Sequence, residues 1–397
     1  MYRVTYPRHP LAGTPSLLRA INDRAALELL LDNGPLSRTQ IGTLTGLSKP
    51  TASQLLGRLE AAGLVVPVGT AAGGPGPNAQ LYQVNPAAGQ VAGVDVTNTA
   101  VRIAVADITG ATLAEHEVST KGWQAAKTLS KVAEAVAETI GLAGLGDGAV
   151  REVVIGIGGA LDPATGKLRY ATHLPGWHSP RLIPELEAAI GATVSIENDV
   201  NLAAIAEQAH GAARGCEDFA LLWTGEGVGA AIVIAGRLHR GFHGGAGEVG
   251  YMPLPGAPVV HDVRRKNSGG LQKLAGAPGV LALARGHGLT APTAALVVAE
   301  ALETPDAGTA FLTELADRLA LGLASIVSVM DPEVLILAGA MPRAGGERLR
   351  ALVQDALDEL TMARTEVRAS TVPGSPVLQG ALQRALATTR DAVFSTH

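Results

Sequence analysis

The stretch GPLSRTQIGTLTGLSKPTASQLLGRLEAAGLV, residues 34–65, decides the fold of the amino-terminal part of the chain. Ser37 stands three residues before a glutamine, which is the spacing of a capping box and predicts a short helix. Gly46 supplies a turn, and Ser48 caps a further helix that tolerates Pro50 in its first turn. This last helix has one polar face and one apolar face, the latter formed by Ala52, Leu55, Leu56, Leu59 and Ala62.

The segments on either side complete the pattern of a winged helix-turn-helix. Before the stretch, residues 16–32 place apolar side chains such as Leu17, Leu18 and Ile21 at near-helical spacing, which predicts a first helix. After it, LVVPVG and QLYQV are typical of two strands, and the Gly/Pro-rich TAAGGPGPNA predicts a wing between them. We therefore expect a winged helix-turn-helix domain, called the head below, over residues 1–86.

The polar face of the third helix is predicted to enter the major groove of DNA. Its amide side chain, Gln54, suits bidentate pairing with adenine, its hydroxyls suit bases or phosphates, and its cations mainly suit phosphates. A plain solvated helix face and a protein-interaction module are the alternatives, but the combination of caps, glycine turn, apolar face and wing favours DNA binding. The candidate DNA contacts are Arg38, Lys49, Thr51, Ser53, Gln54 and Arg58.

Charge is divided unevenly along the chain. The whole sequence has a formal net charge of -5, but residues 1–90 hold seven Lys and Arg against four Asp and Glu, which gives +3 there and -8 in the remainder. Lys and Arg supply the salt-dependent part of DNA affinity, so a basic amino-terminal part on an acidic body suits phosphate contact at one end only.

Composition also bears on location and on metal binding. The longest apolar stretches, such as VLILAGAM from Val334, fall short of the roughly 20 residues that cross a bilayer, so no membrane partner is expected. The start, MYRVTYPRHPLAG, lacks the pattern of a signal peptide, and we expect a cytoplasmic protein. Cys216 is the single cysteine, which excludes an intrachain disulfide and a thiolate cluster for a metal.

From Val91 onward, strand-like segments alternate with helical ones, which predicts an α/β body over residues 87–397. The strand, tight turn and strand of VAGVDVTNTAVRIAV recur about 125 residues later in FALLWTGEGVGAAIVIAG. This faint repeat predicts two related lobes, each opening on a hairpin, with their boundary near residues 200–220.

Five segments of the body follow, in order, the landmarks of the ROK family, which is named for repressors, open reading frames and kinases: GVDVTNTAVRIAV, GALDPATG, IENDVNLAAIAE, TGEGVGAAIVIAGRLHRG and GAGEVGYM. The head resembles the amino-terminal domain of ROK repressors, so the resemblance covers nearly the whole chain. It implies an actin-like (ribonuclease H-like) ATPase or sugar kinase fold of two lobes, with sugar in the cleft between them. The family's wing usually has an arginine before its proline, whereas GPGPN has no cation.

The tripeptide END at residues 197–199 is the best retained part of the kinase site. The resemblance implies that Asp199 matches the aspartate that accepts the proton of the attacking sugar hydroxyl. Asn198 beside it supplies a directional donor and acceptor for hydroxyl groups, while capping of the following helix is the alternative interpretation of Asp199. The resemblance extends the expected effector contacts to Gly159, Asn198, Asp199, Glu248, Tyr251 and Gln272.

Both phosphate hairpins depart from the family's pattern. Asp-x-Gly-x-Thr reads DVTNT at residues 95–99, so Thr97 replaces a glycine that lets the backbone approach phosphate. Gly-Thr-Gly reads GEG at residues 225–227, which puts the Glu226 carboxylate where phosphate oxygens would lie. We therefore expect neither ATP binding nor catalysis at the degenerate nucleotide site of Asp95, Thr97, Thr99, Gly225, Glu226 and Gly227.

The family's zinc ligands are also replaced. Family members hold zinc with the histidine of Gly-His-Met and three cysteines of Cys-x-Cys-Gly-x-x-Gly-Cys. None of the matching side chains is a thiolate or an imidazole, so no metal is expected. His261 and Asp262 lie nearby, but a lone histidine in a polar loop is more often solvated than metal-bound. The matching positions are Tyr251, Val263, Arg265 and Gly270.

The sequence therefore predicts a DNA-binding transcriptional regulator of the repressor type, without cofactor, that controls carbohydrate-related genes. A small carbohydrate effector in the degenerate kinase cleft would bias the orientation of paired heads on a palindromic operator, bound as a homodimer or homotetramer. Two alternatives stay open: an active ATP-dependent sugar kinase that also binds DNA, and a DNA-binding protein whose body only forms oligomers.

Overall fold

A computed structural model describes residues 15–71, 79–162, 165–169, 174–257 and 268–395. The GPGPN part of the expected wing lies outside the described residues. The same holds for four positions near the family's zinc site: His261, Asp262, Val263 and Arg265.

The head combines the three helices and two strands predicted for a winged helix-turn-helix with a short strand that was not predicted, and the three strands form a sheet of order β1-β3-β2. The Ser37 hydroxyl accepts from the Gln40 N–H at 3.3 Å and the Gln40 Oε1 accepts from the Ser37 N–H at 2.9 Å, which confirms the capping box. Gly46 ends the short helix at a φ of 70°. The elements are α1 (Pro15–Asn33), β1 (Leu36–Ser37), α2 (Arg38–Thr45), α3 (Lys49–Ala61), β2 (Val65–Ala71) and β3 (Ala79–Val84).

The core of the head differs from the expected apolar stripes in two places. The predicted α1 residues near its amino end are exposed, and the helix packs through residues further along: Ala26, Leu27 and Leu30. Ala62, expected on the α3 stripe, follows the end of that helix and is exposed, whereas the other four stripe residues are buried. Helix propensity and the spacing of apolar residues predict where a helix forms, but the elements packed against it determine which of its turns are buried.

The first lobe is built on a five-stranded sheet of order β10-β7-β4-β5-β6. Its central strands are buried on both faces, since α4 and α5 cover one face and α6 covers part of the other, which explains their nearly continuous apolar runs. Its elements are β4 (Gln90–Val96), β5 (Ala100–Asp107), β6 (Thr112–Ser119), α4 (Thr128–Leu142), β7 (Val150–Ile157), β8 (Ala160–Leu161), β9 (Leu168–Arg169), α5 (Leu182–Ile190), β10 (Thr193–Asn198) and α6 (Asp199–His210).

The second lobe repeats this topology in a sheet of order β15-β14-β11-β12-β13, which confirms the two related lobes. In each lobe the first strand pairs on one side with the second strand, which is antiparallel to it, and on the other side with a later strand, which is parallel to it. Its elements are β11 (Phe219–Thr224), β12 (Val228–Ile234), β13 (Arg237–Leu238), α7 (Gly270–Ala275), α8 (Ala277–Gly286), α9 (Ala294–Glu303), α10 (Ala307–Met330), β14 (Val334–Ala338), α11 (Ala340–Leu360) and β15 (Glu366–Ala369).

The last helix, α12 (Pro376–Ser395), leaves the second lobe and packs on the first, against α6, β4 and β7. Together with α6 it covers the second face of the first sheet. Across the described parts of the chain, we find no helix that is both long and apolar enough to cross a membrane.

Candidate functional site

The polar face of α3 is available to a partner. Lys49, Thr51, Ser53 and Gln54 are all exposed, on the side of α3 opposite its buried stripe. The Thr51 hydroxyl lies 2.8 Å from that of Ser48, so the helix cap already holds this side chain.

The two arginines expected to contact DNA are engaged within the head. Arg38 donates from Nη2 to the Tyr82 hydroxyl at 2.6 Å, and its guanidinium carbon lies 5.4 Å from the centroid of that ring. Arg58 forms an ion pair with Asp23 at 2.7 Å, and the Asp23 side chain is only 7% exposed. This contact joins α3 to α1, so Arg58 has a structural partner that the sequence did not reveal.

A cleft of about 1400 Å³ lies between the two lobes. It brings together every effector and nucleotide position expected from the sequence, although these come from strand ends and loops of both lobes. The lining includes Asp95, Thr97, Thr99, Gly159, Asn198, Asp199, Gly225, Glu226, Gly227, Glu248, Tyr251 and Gln272.

Asn198 is fixed at the cleft by two hydrogen bonds. Its Oδ1 accepts from the Asn201 N–H at 3.0 Å, and its Nδ2 donates to the Gly159 carbonyl at 3.0 Å. The alternative interpretation, that Asp199 caps the helix, is therefore wrong: α6 begins at Asp199, and Asn198 is the N-cap. Because Asn198 performs the capping, the Asp199 carboxylate stays in the first turn, where it lines the cleft.

Asp199 and Glu248 both have raised pKa values, and the charge of Asp199 acts on Glu248. Burial, together with a smaller contribution from the charge of Asp95, raises the pKa of Asp199 to about 6. Burial also raises the pKa of Glu248 to about 7, with a further contribution from the charge of Asp199. At pH 7 Asp199 is therefore mostly ionised and Glu248 is about half protonated, so the pair can both accept from and donate to hydroxyl groups, which suits a polyol ligand.

Gln272 has a role that the sequence did not indicate. Its Oε1 accepts from the Val228 N–H at 2.8 Å, and its Nε2 lies 3.5 Å from the Glu226 carbonyl oxygen. The amide thus braces the GEG hairpin as well as lining the cleft. The Glu226 side chain itself is exposed at the cleft.

In the DVTNT hairpin, the Thr97 side chain forms hydrogen bonds with the backbone of the same turn. The Thr97 hydroxyl accepts from the Ala100 N–H at 3.1 Å and the Thr99 N–H at 3.4 Å, and donates to the Ala100 carbonyl at 2.9 Å. The hairpin holds Thr97 without a left-handed backbone, since the described non-glycine residues with positive φ lie elsewhere. The N–H groups of Thr99 and Ala100 therefore already have an acceptor within the hairpin.

Asp95 is tied to the hairpin's surroundings. Ser375 Oγ donates to Asp95 Oδ2 at 3.0 Å, and Arg102 Nη1 does so at 3.4 Å. Burial nevertheless raises the pKa of Asp95, because the carboxyl is only 4% exposed.

The described residues of the family's zinc site do not fit the metal. A Cβ added to Gly270 would overlap the Met252 carbonyl oxygen, so the backbone leaves no space for a cysteine there. The other described position is Tyr251, whose ring is not a common zinc ligand. In the part of the chain that the structure describes, no group of three potential ligands stands together.

An ion cluster that the sequence did not reveal is centred on Glu197, the residue directly before Asn198 and Asp199 of the cleft. Glu197 is 6% exposed and accepts from Arg240 Nε at 2.8 Å and Nη2 at 2.7 Å. Arg384 of α12 approaches the same oxygen at 3.4 Å. These arginines are distant in sequence, so no local pattern could have found the cluster.

Comparison with protein families matches residues 91–387 to the ROK family and residues 21–74 to the MarR family. The chain belongs to the ROK family. Among relatives of this ROK protein, the xylose repressor of Caldicellulosiruptor bescii is 26% identical over 358 residues, covering 86% of this chain and 89% of the repressor.

Solved structures of the family include both regulators and kinases. A ROK family transcriptional regulator, described as a homolog of the E. coli MLC protein, superposes with a TM-score of 0.77 at 18% identity over 96% of this chain and all of that one, which shows a shared fold. The ROK hexokinase of Thermus thermophilus has a TM-score of 0.65 at 26% identity, over 76% of this chain and 99% of the hexokinase. The expected family and fold class are thus confirmed.

Proposed function

We propose that this chain is a sugar-responsive transcriptional repressor that binds operator DNA through the head, residues 1–86, and a small carbohydrate through the body, residues 87–397. One observation carries the proposal: a winged helix-turn-helix is joined to a sugar-kinase body whose first phosphate hairpin is closed on itself by Thr97. The relative named xylose repressor, which aligns over most of the chain, supports the same conclusion.

DNA contact is assigned to the exposed face of α3. Gln54 suits adenine, while Lys49 and Ser53 suit phosphates or base edges. We propose that two heads of a homodimer, or pairs within a homotetramer, bind the halves of a palindromic operator, because a twofold protein matches a twofold site.

The effector is assigned to the Asn198, Asp199 and Glu248 end of the cleft. Its polar groups are an oriented amide and two carboxyl groups with raised pKa values, which suits a sugar's hydroxyl groups. Neither ATP nor zinc belongs to this proposal, and the body is assigned no catalytic activity.

The decisive experiment measures binding of the full chain to genomic DNA fragments, selected against random DNA, at physiological salt. We expect tight binding to few fragments, a shift in affinity on adding D-xylose, D-glucose or N-acetyl-D-glucosamine, and loss of the fragment preference in Gln54→Ala. Equal affinity for selected and random DNA would overturn the proposal.

The retained Asp199 and Glu248 also favour a second candidate, an active sugar kinase. A coupled assay for ADP release over the same sugars separates the two. We expect no turnover, whereas turnover that Asp199→Asn abolishes would establish the kinase.

A further inference from the structure

Helix α12 connects the cleft to the head. It has 20 residues, which corresponds to a length of about 30 Å. Residues of its first turns, including Leu378, Gln379 and Gln383, line the cleft. Val393 and Phe394 of its last turns are 6% and 3% exposed and belong to the hydrophobic core of the head.

At the cleft, α12 packs backbone to backbone on elements that carry site residues. A Cβ added to Gly380 would overlap the carbonyl oxygen of Leu202 in α6, the helix that begins at Asp199. A Cβ on Gly93 of β4 would lie 3.0 Å from the Leu378 carbonyl oxygen. Such close contacts leave no slack, so a displacement of α6 passes to α12.

The ion cluster adds a second connection at the same end. Arg384 is the α12 member of the cluster, and its Glu197 partner directly precedes Asn198 and Asp199. Among the described residues, the buried Arg384 Nε has no hydrogen-bond partner, so the guanidinium depends for its compensation on the charge of Glu197, with a smaller contribution from Glu152.

At the other end, α12 contacts both the head and the residues that directly follow the head. Asp391 pairs with Arg24 of α1 at 2.6 Å. A Cβ on Gly89, at the start of the body just after the head, would lie 3.1 Å from the Thr389 Cγ2. Phe394 fills the head's core beside α1.

We infer that α12 couples the effector end of the cleft to the head, with Arg384 as its positioning residue at the cleft. The inference rests on the proposed function for its biological purpose, since it requires that an effector act on DNA binding. Closure of the cleft around Asn198 and Asp199 would shift α6 and Glu197, and α12 would carry that shift to α1 as a nearly rigid rod.

The test compares Arg384→Met with Arg240→Met in the full chain without ligand. Each variant removes one guanidinium from Glu197, but only Arg384 belongs to α12. We expect hydrogen exchange of α1 amides to rise roughly threefold or more in Arg384→Met and to stay unchanged in Arg240→Met, with α10 as an internal reference. Equal α1 exchange in the two variants, or a rise spread equally over α10, would overturn the inference.

A second arm adds D-xylose, D-glucose or N-acetyl-D-glucosamine to each variant and to the unmodified protein. The factor by which a sugar changes DNA affinity should fall toward one in Arg384→Met but persist in Arg240→Met, while calorimetry gives similar sugar affinities for both. A factor that persists in Arg384→Met would contradict coupling through α12. If no sugar shifts DNA affinity in the unmodified protein, the proposed function fails, and the ligand-free exchange still decides the role of α12.

Discussion

At the scale of single residues, Lys49 and Arg58 are both exposed cations on α3 but differ in what they contact. Arg58 is paired with the nearly buried Asp23, whereas Lys49 lies in the first turn, on the face assigned to DNA. The charge of Arg58 is thus already used to attach α3 to α1.

We expect Lys49→Ala to reduce the slope of log affinity against log salt by about one, because one phosphate contact is lost. Arg58→Ala should leave that slope nearly unchanged but lower the free energy of unfolding of the head by about 1–2 kcal/mol, because Asp23 loses its partner. Titrations at several salt concentrations and urea unfolding measure both effects. If Arg58→Ala reduced the salt slope and Lys49→Ala did not, Arg58 rather than Lys49 would be the residue that contacts DNA.

The ionisation of Asp199 gives a pH-dependent prediction. Since its folded pKa is raised to about 6, the ionised carboxyl destabilises the fold, and stability present at low pH is lost as pH rises through that value. Asp199→Asn should therefore be near neutral below about pH 4 but more stable than the unmodified chain by about 3 kcal/mol at pH 8, while losing sugar binding.

Thermal unfolding at several pH values and calorimetry with sugar measure the two effects of Asp199→Asn. A stability difference that stays constant between about pH 4 and 8 would contradict the assigned ionisation. Tight sugar binding by the variant would remove Asp199 from the effector site.

At the scale of elements, the DVTNT hairpin shows how one side chain changes what a turn can bind. Thr97 occupies the N–H groups of Thr99 and Ala100, and Glu226 adds a carboxylate at the other hairpin. Both features oppose the binding of phosphate.

The double variant Thr97→Gly and Glu226→Thr should bind ATP at least about tenfold more tightly than the unmodified chain, since it frees two donors and removes a negative charge. Competition against a fluorescent ATP analogue measures the gain, and each single variant should give part of it. An unchanged affinity would mean that features outside the hairpins exclude nucleotide.

At the scale of the whole molecule, Glu207 joins the two lobes where the chain passes between them. It is fully buried at the end of α6 and accepts hydrogen bonds from Ser370, Thr371 and Val372, in the segment between β15 and α12. The carboxylate therefore fixes the point at which α12 leaves the second lobe.

Glu207→Ala should lower the free energy of unfolding of the body by about 3–5 kcal/mol, because the N–H of the buried Val372 and the partly buried donors of Ser370 and Thr371 lose their acceptor. Glu333 is a matched control: it accepts from the Glu217 and Asp218 N–H groups at 2.9 Å each, but it is exposed. Glu333→Ala should cost much less, as urea unfolding would measure. Equal losses for the two variants would contradict the structural role given to Glu207.

The sequence by itself determined the head, the family and the identity of the cleft residues. Capping at Ser37, the turn at Gly46 and the stripe on α3 are local patterns, so a short window of sequence suffices to specify them. The two hairpins were likewise recognisable because strand, turn and strand are contiguous, and the replacements Thr97 and Glu226 stand at fixed places within them.

Tertiary structure alone decided how those residues are used. Asn198 rather than Asp199 caps α6, Gln272 supports a hairpin, and Arg58 forms an ion pair with Asp23. Each of these roles depends on which residues come close in the folded chain, and sequence spacing does not set those distances. The same holds for α12. The sequence predicts only a helix near the end of the chain, whereas in the fold this helix runs from the cleft to the head. Packing of elements far apart in the chain, not local propensity, determines such contacts.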